Sequence, residues 1–359
     1  MSKRTRTTTA ASSKGSKKPR ILPPSPHGPF WNGTTTDPEI IAVLVNNRDE
    51  AFHYDAETSR LDLVQEVWEH VIIPFFNVKE LAMLRPTCRW CDEQWQEFLK
   101  KNTFRVPEQV PTIEEAMRIG FNLSIQKVYS KEKPLVVVLS EGEHVLQNTL
   151  DITCSNISFV GEEKEFVDDE DKTTVRGLIQ VVNKKNVSLK SLTLTSGGSG
   201  LNVAGEEASL ELMNVSVKEF GYHGICVSNG ASVKAIQCEI SENDGSGMYI
   251  GGGSKGFFTD CTFHDNGENG VYAYDAGTLV ELRGEQTEIH HNMDGLHAYT
   301  NATINIYIPS RSITALVRGN GTDLVTYDGG KIQSQLSSSS LELTVIQEAA
   351  PVVDDEFDY

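Results

Sequence analysis

The feature that most constrains this chain is a sentence it repeats. In CEISENDGSGMYIGGGSKGFFTDCTFHDNGENGVYAYD, residues 238–275, Cys238, Ile240, Asn243 and Gly247 return as Cys261, Phe263, Asn266 and Gly270, each 23 residues on. Aligned on glycine, the anchors are Gly200, Gly224, Gly247, Gly270 and Gly295, at intervals of 24, 23, 23 and 25. A unit of this length, with short alternating stretches and no helical pattern, cannot bury an apolar face alone. It must stack on copies of itself, so the repeat predicts a parallel β-solenoid with one coil per unit.

Alternation then sorts the side chains. One and three residues past each glycine stand Leu201 and Val203, Ile225 and Val227, Met248 and Ile250, Val271 and Ala273, and Leu296 and Ala298, all expected to face inward. Before the glycines, Val215 and Val217, Cys238 and Ile240, and Cys261 and Phe263 complete the core, with the two cysteines stacked on adjacent coils about 4.8 Å apart. Asn243, Asn266 and Asn292 fall in turns, where each amide is expected to bond its counterpart one coil away.

The remaining positions face out and carry the candidate chemistry. Tyr249, Tyr272, Tyr274, His297 and Tyr299 form a row on one outer sheet face. Tyrosine joins a flat apolar ring to a polar tip, so such a row suits a sugar or a peptide. Five residues before the glycines lies a second column, Glu219, Glu242, Asp265 and His290. Stacked carboxylates repel, so they are solvated, neutralised by a cation such as calcium at Glu219, Glu242 and Asp265, or share a proton as in glycoside hydrolysis. In an enzyme, Glu242, Asp265 and His290 are the catalytic candidates. His264 and His291 lie nearby, but no histidine spacing matches a metal motif, and His290 and His291 are expected to point to opposite sides of an extended strand. No cofactor is expected.

Ahead of the repeat, residues 1–37 have the composition of a disordered basic arm, and 38–60 read as a linker. From Leu61 the spacing of Leu63, Val64, Val67, Trp68 and Val71 is helical, and Pro74 and Pro86 divide residues 61–105 into three short helices. Thr112-Ile-Glu-Glu115 spells a capping box for a helix ending at Gly120. Strands follow at Leu135–Leu139 and Ile157–Gly161, with an acidic insert behind them. The solenoid is expected over 106–348, and 349–359 form an acidic tail.

VWEHVIIPFFNVKELAMLRPTCRWCDEQW, residues 67–95, resembles an F-box. The resemblance implies docking to the small linker subunit of a cullin-type ubiquitin ligase through Val67, Trp68, Val71, Leu81, Leu84 and Trp90. The capping helix, apolar strand and glycine turns from Thr112 onward resemble the entry to a pectin-lyase-like right-handed parallel β-helix. That resemblance implies a mainly β fold, in which the glycine repeat sets about 23 residues per coil. Its enzymes are polysaccharide hydrolases, lyases and epimerases, which makes a carbohydrate-active enzyme the alternative reading. A purely structural solenoid is a third.

Charge narrows these choices. The chain carries a formal net charge of -18, which disfavours nucleic acid and polyuronate as partners. No apolar run has the ~20 residues of a membrane helix, and no signal-peptide pattern opens the chain. Together with six cysteines that fit no disulfide scaffold, this reads as an intracellular protein, cytoplasmic or, through Lys3-Arg4 and Lys17-Lys18-Pro19-Arg20, nuclear. The sequence thus favours an interaction protein, a substrate-recognition adaptor whose solenoid holds a protein or glycan on its outer face.

Overall fold

The computed structural model describes residues 52–55, 60–63, 102–124, 128–162, 173–198, 200–308, 310–335 and 343–348. Two compact units divide the chain, residues 1–95 and 96–359. In the first, Phe52–Asp55 pairs with Arg60–Leu63 as an antiparallel hairpin. Leu61 to Leu63, expected to open a helix, are therefore extended. Arg60-Leu61-Asp62-Leu63 alternates with period two, and over so short a run that alternation outweighs a helical spacing that starts in its middle. Val67, Trp68, Val71, Leu81, Leu84 and Trp90 lie outside the described residues, as do the basic arm and the acidic tail.

The second unit is the solenoid. Its coils share three walls of parallel strands. One wall is an eight-stranded sheet running from Leu150–Asp151 through Leu201–Ala204, Ile225–Ser228, Met248–Ile250, Asn269–Ala273 and Asp294–Tyr299 to Thr322–Tyr327. The other two belong to one folded sheet that turns at Ser191, Asn214, Gln237 and Asp260 in successive coils, each in the left-handed region with φ of 52, 53, 52 and 53°. Polar residues tolerate that conformation best, which accounts for their recurrence at the corner.

The glycine register holds. Leu201, Ile225, Met248, Val271 and Leu296 are direct partners in consecutive coils. All ten residues assigned inward from the glycines are buried, as are Val215, Val217, Cys238, Ile240, Cys261 and Phe263. Each Val, Ile or Leu so removed from water contributes about 1.5–3 kcal/mol. The anchors are glycines because the coils touch there. A Cβ at Gly224 would lie 2.8 Å from Asn243 Nδ2 and 2.9 Å from the Gly247 carbonyl oxygen, and Gly247 meets Asn266 and Gly270 in the same way.

The stack starts a little earlier than the sequence expectation. Thr103–Val106 pairs in parallel with Leu135–Leu139, so the first rung begins before residue 106. Helix α1, Ile113–Ser124, is capped as expected, with the Glu115 N–H donating to Thr112 Oγ1 at 3.2 Å. It does not stop at Gly120. That glycine lies inside the helix, where a Cβ would strike Leu135 at 2.2 Å, so it serves close packing and not termination.

At the far end the repeat fades in sequence but continues in space. From Asp294 to its partner Thr322 the coil has lengthened to 28 residues (322 − 294), and Asp323 takes the glycine position beside Gly295. The extra length holds the short helix α2, Ile313–Leu316, tied down by Arg311, whose guanidinium donates to the carbonyls of Glu285, Thr287 and Ala315. A final antiparallel strand, Thr344–Glu348, closes on Lys331–Ser334.

Candidate functional site

The outer face of the eight-stranded sheet carries the aromatic row. Tyr249 pairs with Tyr272, Tyr272 with His297, and Tyr299 with Tyr327 as neighbours in register. Tyr274, Tyr299 and Tyr327 stack in sequence, at 5.6 Å and 15° and then 5.3 Å and 4°. Tyr249 lies 5.3 Å from Tyr272 at 54°, and His297 meets Tyr272 edge to face at 4.9 Å. In the stack of Tyr274, Tyr299 and Tyr327 neighbouring ring faces lie over one another, whereas Tyr249, Tyr272 and His297 meet tilted or edge to face.

All five expected binding residues come together, and three further rings join them. His223 stacks on Tyr249 at 4.8 Å and 16°, Tyr222 lies 3.9 Å beyond it, and Tyr327 extends the other end. Tyr327 was hidden because its coil lost the glycine anchor; counted from Asp323, it falls four residues on, where Tyr274 and Tyr299 stand. Tyr222 and His223 occupy a turn, where alternation carries no information.

A hydrogen-bonded chain runs beneath this face and fixes its histidines. The Ser246 N–H donates to His223 Nδ1 at 2.9 Å, so that nitrogen is unprotonated. Asn269 Nδ2 donates to Ser246 Oγ, and Ser246 Oγ donates to Glu268. Asn269 Oδ1 is then an acceptor, and His297 Nδ1 donates to it at 3.1 Å. His297 Nε2 therefore holds a lone pair, buried and without a hydrogen-bond partner. Burial holds both histidines below their ordinary pKa, against the pull of Glu268 on His223 and of Asp294 on His297. Burial first, then Tyr249 and Tyr299, pushes the Tyr272 phenol up to about 12. At neutral pH the face is uncharged apart from carboxylates such as Asp275, the leading cause of the raised Tyr274 pKa.

Residues 148–325 match the family described as a right handed beta helix region. The matched residues take in every ring of the aromatic face except Tyr327. No curated protein sequence matches the chain. Among solved structures, Geobacillus virus E2 ORF18 aligns with 82% of this chain and 69% of its own at 14% identity, with a TM-score of 0.29.

The acidic column is assembled differently from the sequence count. His264 pairs with His290, so the residue below Asp265 is His291, and the column reads Glu219, Glu242, Asp265, His291. The count of five back from Gly295 failed because this turn is one residue shorter. All four sit at a corner of the β-helix in left-handed backbone, with φ of 60, 56, 53 and 57°. Glu242, Asp265 and His290 consequently do not share one column. Glu219 pairs with Lys218 at 3.5 Å. Asp265 accepts from His264 Nδ1 at 2.7 Å, while His264 Nε2 donates to Glu239 at 3.0 Å.

Carboxylates only accept, so His264 carries both protons and is an imidazolium. Burial opposes that charge, but the two carboxylates outweigh it and the pKa is raised. The hydrogen bond from His264 in turn holds Asp265 below the usual carboxylate range, the reverse of what a general acid needs. Among the described residues no three His, Cys, Asp or Glu side chains are grouped to hold a metal ion, so Glu219, Glu242 and Asp265 do not converge as a calcium site. No described helix is long and apolar enough to cross a membrane.

Proposed function

We propose that this β-helix is a binding protein that presents the aromatic face of its eight-stranded sheet to a partner. The observation that carries the reading is the continuity of that face. Tyr222, His223, Tyr249, Tyr272, His297 and the stack Tyr274, Tyr299 and Tyr327 form one connected set of rings. Rigid aromatic side chains with polar tips are the residues that anchor protein interfaces. Because Tyr274, Tyr299 and Tyr327 stack face to face on one another, a protein partner fits better than a sugar lying flat on open rings. A catalytic role for the acidic corner is less well supported, since Asp265 is ionised and engaged by His264.

The adaptor half of the proposal rests on the F-box-like sequence of residues 67–95. In it, that segment docks the linker subunit of a cullin-type ubiquitin ligase while the β-helix holds the client. Affinity capture from the native cell tests this, comparing the full chain with a deletion of residues 61–95, which spares the first rung at Thr103. Loss of a cullin and its linker from the deletion, with the β-helix still folded, is the expected result. Equal recovery with both proteins, or recovery with neither, removes the adaptor role.

A further inference from the structure

His290 and His291, expected to diverge, converge. Their Nδ1 atoms stand 2.9 Å apart with the rings at 85°. The cause is the left-handed backbone at His291, φ 57°, which turns its side chain back toward the strand that ends at His290. Two imidazole nitrogens at this distance cannot both present lone pairs. One carries a proton that the other accepts, and a cation replacing that proton would meet two nitrogen donors already in place.

The corner column that holds His291 continues into Gly319, so that position puts no side chain against the Nε2 edge of the ring, where a built Cβ would stay 3.8 Å away, while Nδ1 faces His290. One coil back along the corner column stands Asp265, about half exposed. Two cationic groups face the pair, His264 stacked on His290 at 5.1 Å and Arg318 beside it in register. Each is already compensated, His264 by Glu239 and Asp265, and Arg318 by Glu288 at 3.0 Å.

We propose that His290 and His291 form a two-nitrogen site for a late divalent transition-metal ion, with Asp265 a nearby negative charge and not a third ligand. Metal–imidazole bonds of about 2.0–2.1 Å drawn to nitrogens 2.9 Å apart subtend roughly 90°. That is the cis angle of square-planar or octahedral ions, which fits copper(II) or nickel(II) better than tetrahedral zinc. Binding displaces the shared proton to solvent, and affinity therefore rises with pH. With two protein donors the ion keeps open positions, which water or a partner's side chain fills.

Titration of the full chain with copper(II), followed by calorimetry and by electron paramagnetic resonance, tests the site. One ion per chain with two nitrogen ligands is expected. His291→Asn, which keeps a residue tolerant of left-handed backbone, and His290→Gln should each lower the affinity at least tenfold. An unchanged melting temperature in each variant separates loss of the site from loss of the fold. Absence of saturable binding, or the same stoichiometry and affinity in both variants, overturns the proposal.

Discussion

Asn243 and Asn266 occupy the same turn of consecutive coils, and the side-chain amide of the first donates to the side-chain oxygen of the second at 2.8 Å. The same oxygen takes the Asn243 backbone N–H, while Asn266 Nδ2 also reaches the Ile240 carbonyl. Asn292 and Asn320 repeat the arrangement, and Asp323 ends it. The ladder satisfies backbone groups that the corner removes from the sheets. Asn266→Ala breaks it on both sides and leaves buried donors and acceptors unpaired, a loss of about 3 kcal/mol measurable by urea unfolding. A loss below ~1 kcal/mol would show that water substitutes for the rung.

The glycine anchors make a sharper demand. Gly224→Ala sets a methyl against the backbone of the next coil, where the near atoms are a carbonyl oxygen and a buried amide. No flexible side chain can yield there. Destabilisation by about 2–3 kcal/mol is expected in chemical denaturation. A neutral effect would mean that the coils separate more easily than this packing implies.

Register can be tested across one peptide bond. Ile250 is fully buried and Tyr249 half exposed. Ile250→Asp buries an unpaired carboxylate and should cost several kcal/mol, roughly 4 or more, whereas Tyr249→Asn loses ring contacts worth about 1 kcal/mol. Thermal melts of the two proteins should differ widely. Similar melting temperatures would contradict the assignment of inner and outer faces.

The histidines predict opposite responses to pH. His297 and His223 have folded pKa values below the ordinary 6.5, so the unfolded chain takes up protons first, and stability falls as pH drops below about 6.5. His264 has a folded pKa above 6.5; its contribution is complete below the unfolded value and is lost as pH rises through the folded one. The melting-temperature advantage of wild type over His297→Gln should therefore shrink on acidification. Its advantage over His264→Gln should grow. Parallel trends in the two comparisons would contradict the tautomers and charges assigned here.

What could be read from sequence was what repeats. Glycine spacing located the coils, alternation separated Ile250 from Tyr249, and the asparagines announced their ladder, because each depends on contacts between neighbouring coils of near-equal length. Reading failed where coil length changed. One residue fewer in the turn before Gly295 moved His290 out of the acidic column, and the lengthened coil to Thr322 hid Tyr327. Backbone hand was the other blind spot, since nothing in the letters His-His states that His291 is left-handed. The chain His223–Ser246–Asn269–His297 joins four coils; His223, Ser246 and Asn269 each stand just before a glycine anchor, but as His, Ser and Asn they repeat a position and not a residue type.

The central claim is that the aromatic face binds a partner, and the most direct measurement compares partner capture by wild type and by Tyr272→Ala/Tyr274→Ala, with Asp265→Asn alongside. The account predicts that the double variant weakens capture by roughly 1–3 kcal/mol, retains a melting temperature near that of wild type, and that Asp265→Asn leaves capture intact. Undiminished capture by the double variant would contradict it. So would cleavage of a polysaccharide by the purified protein that Asp265→Asn abolishes, which would assign the chemistry to the acidic corner instead.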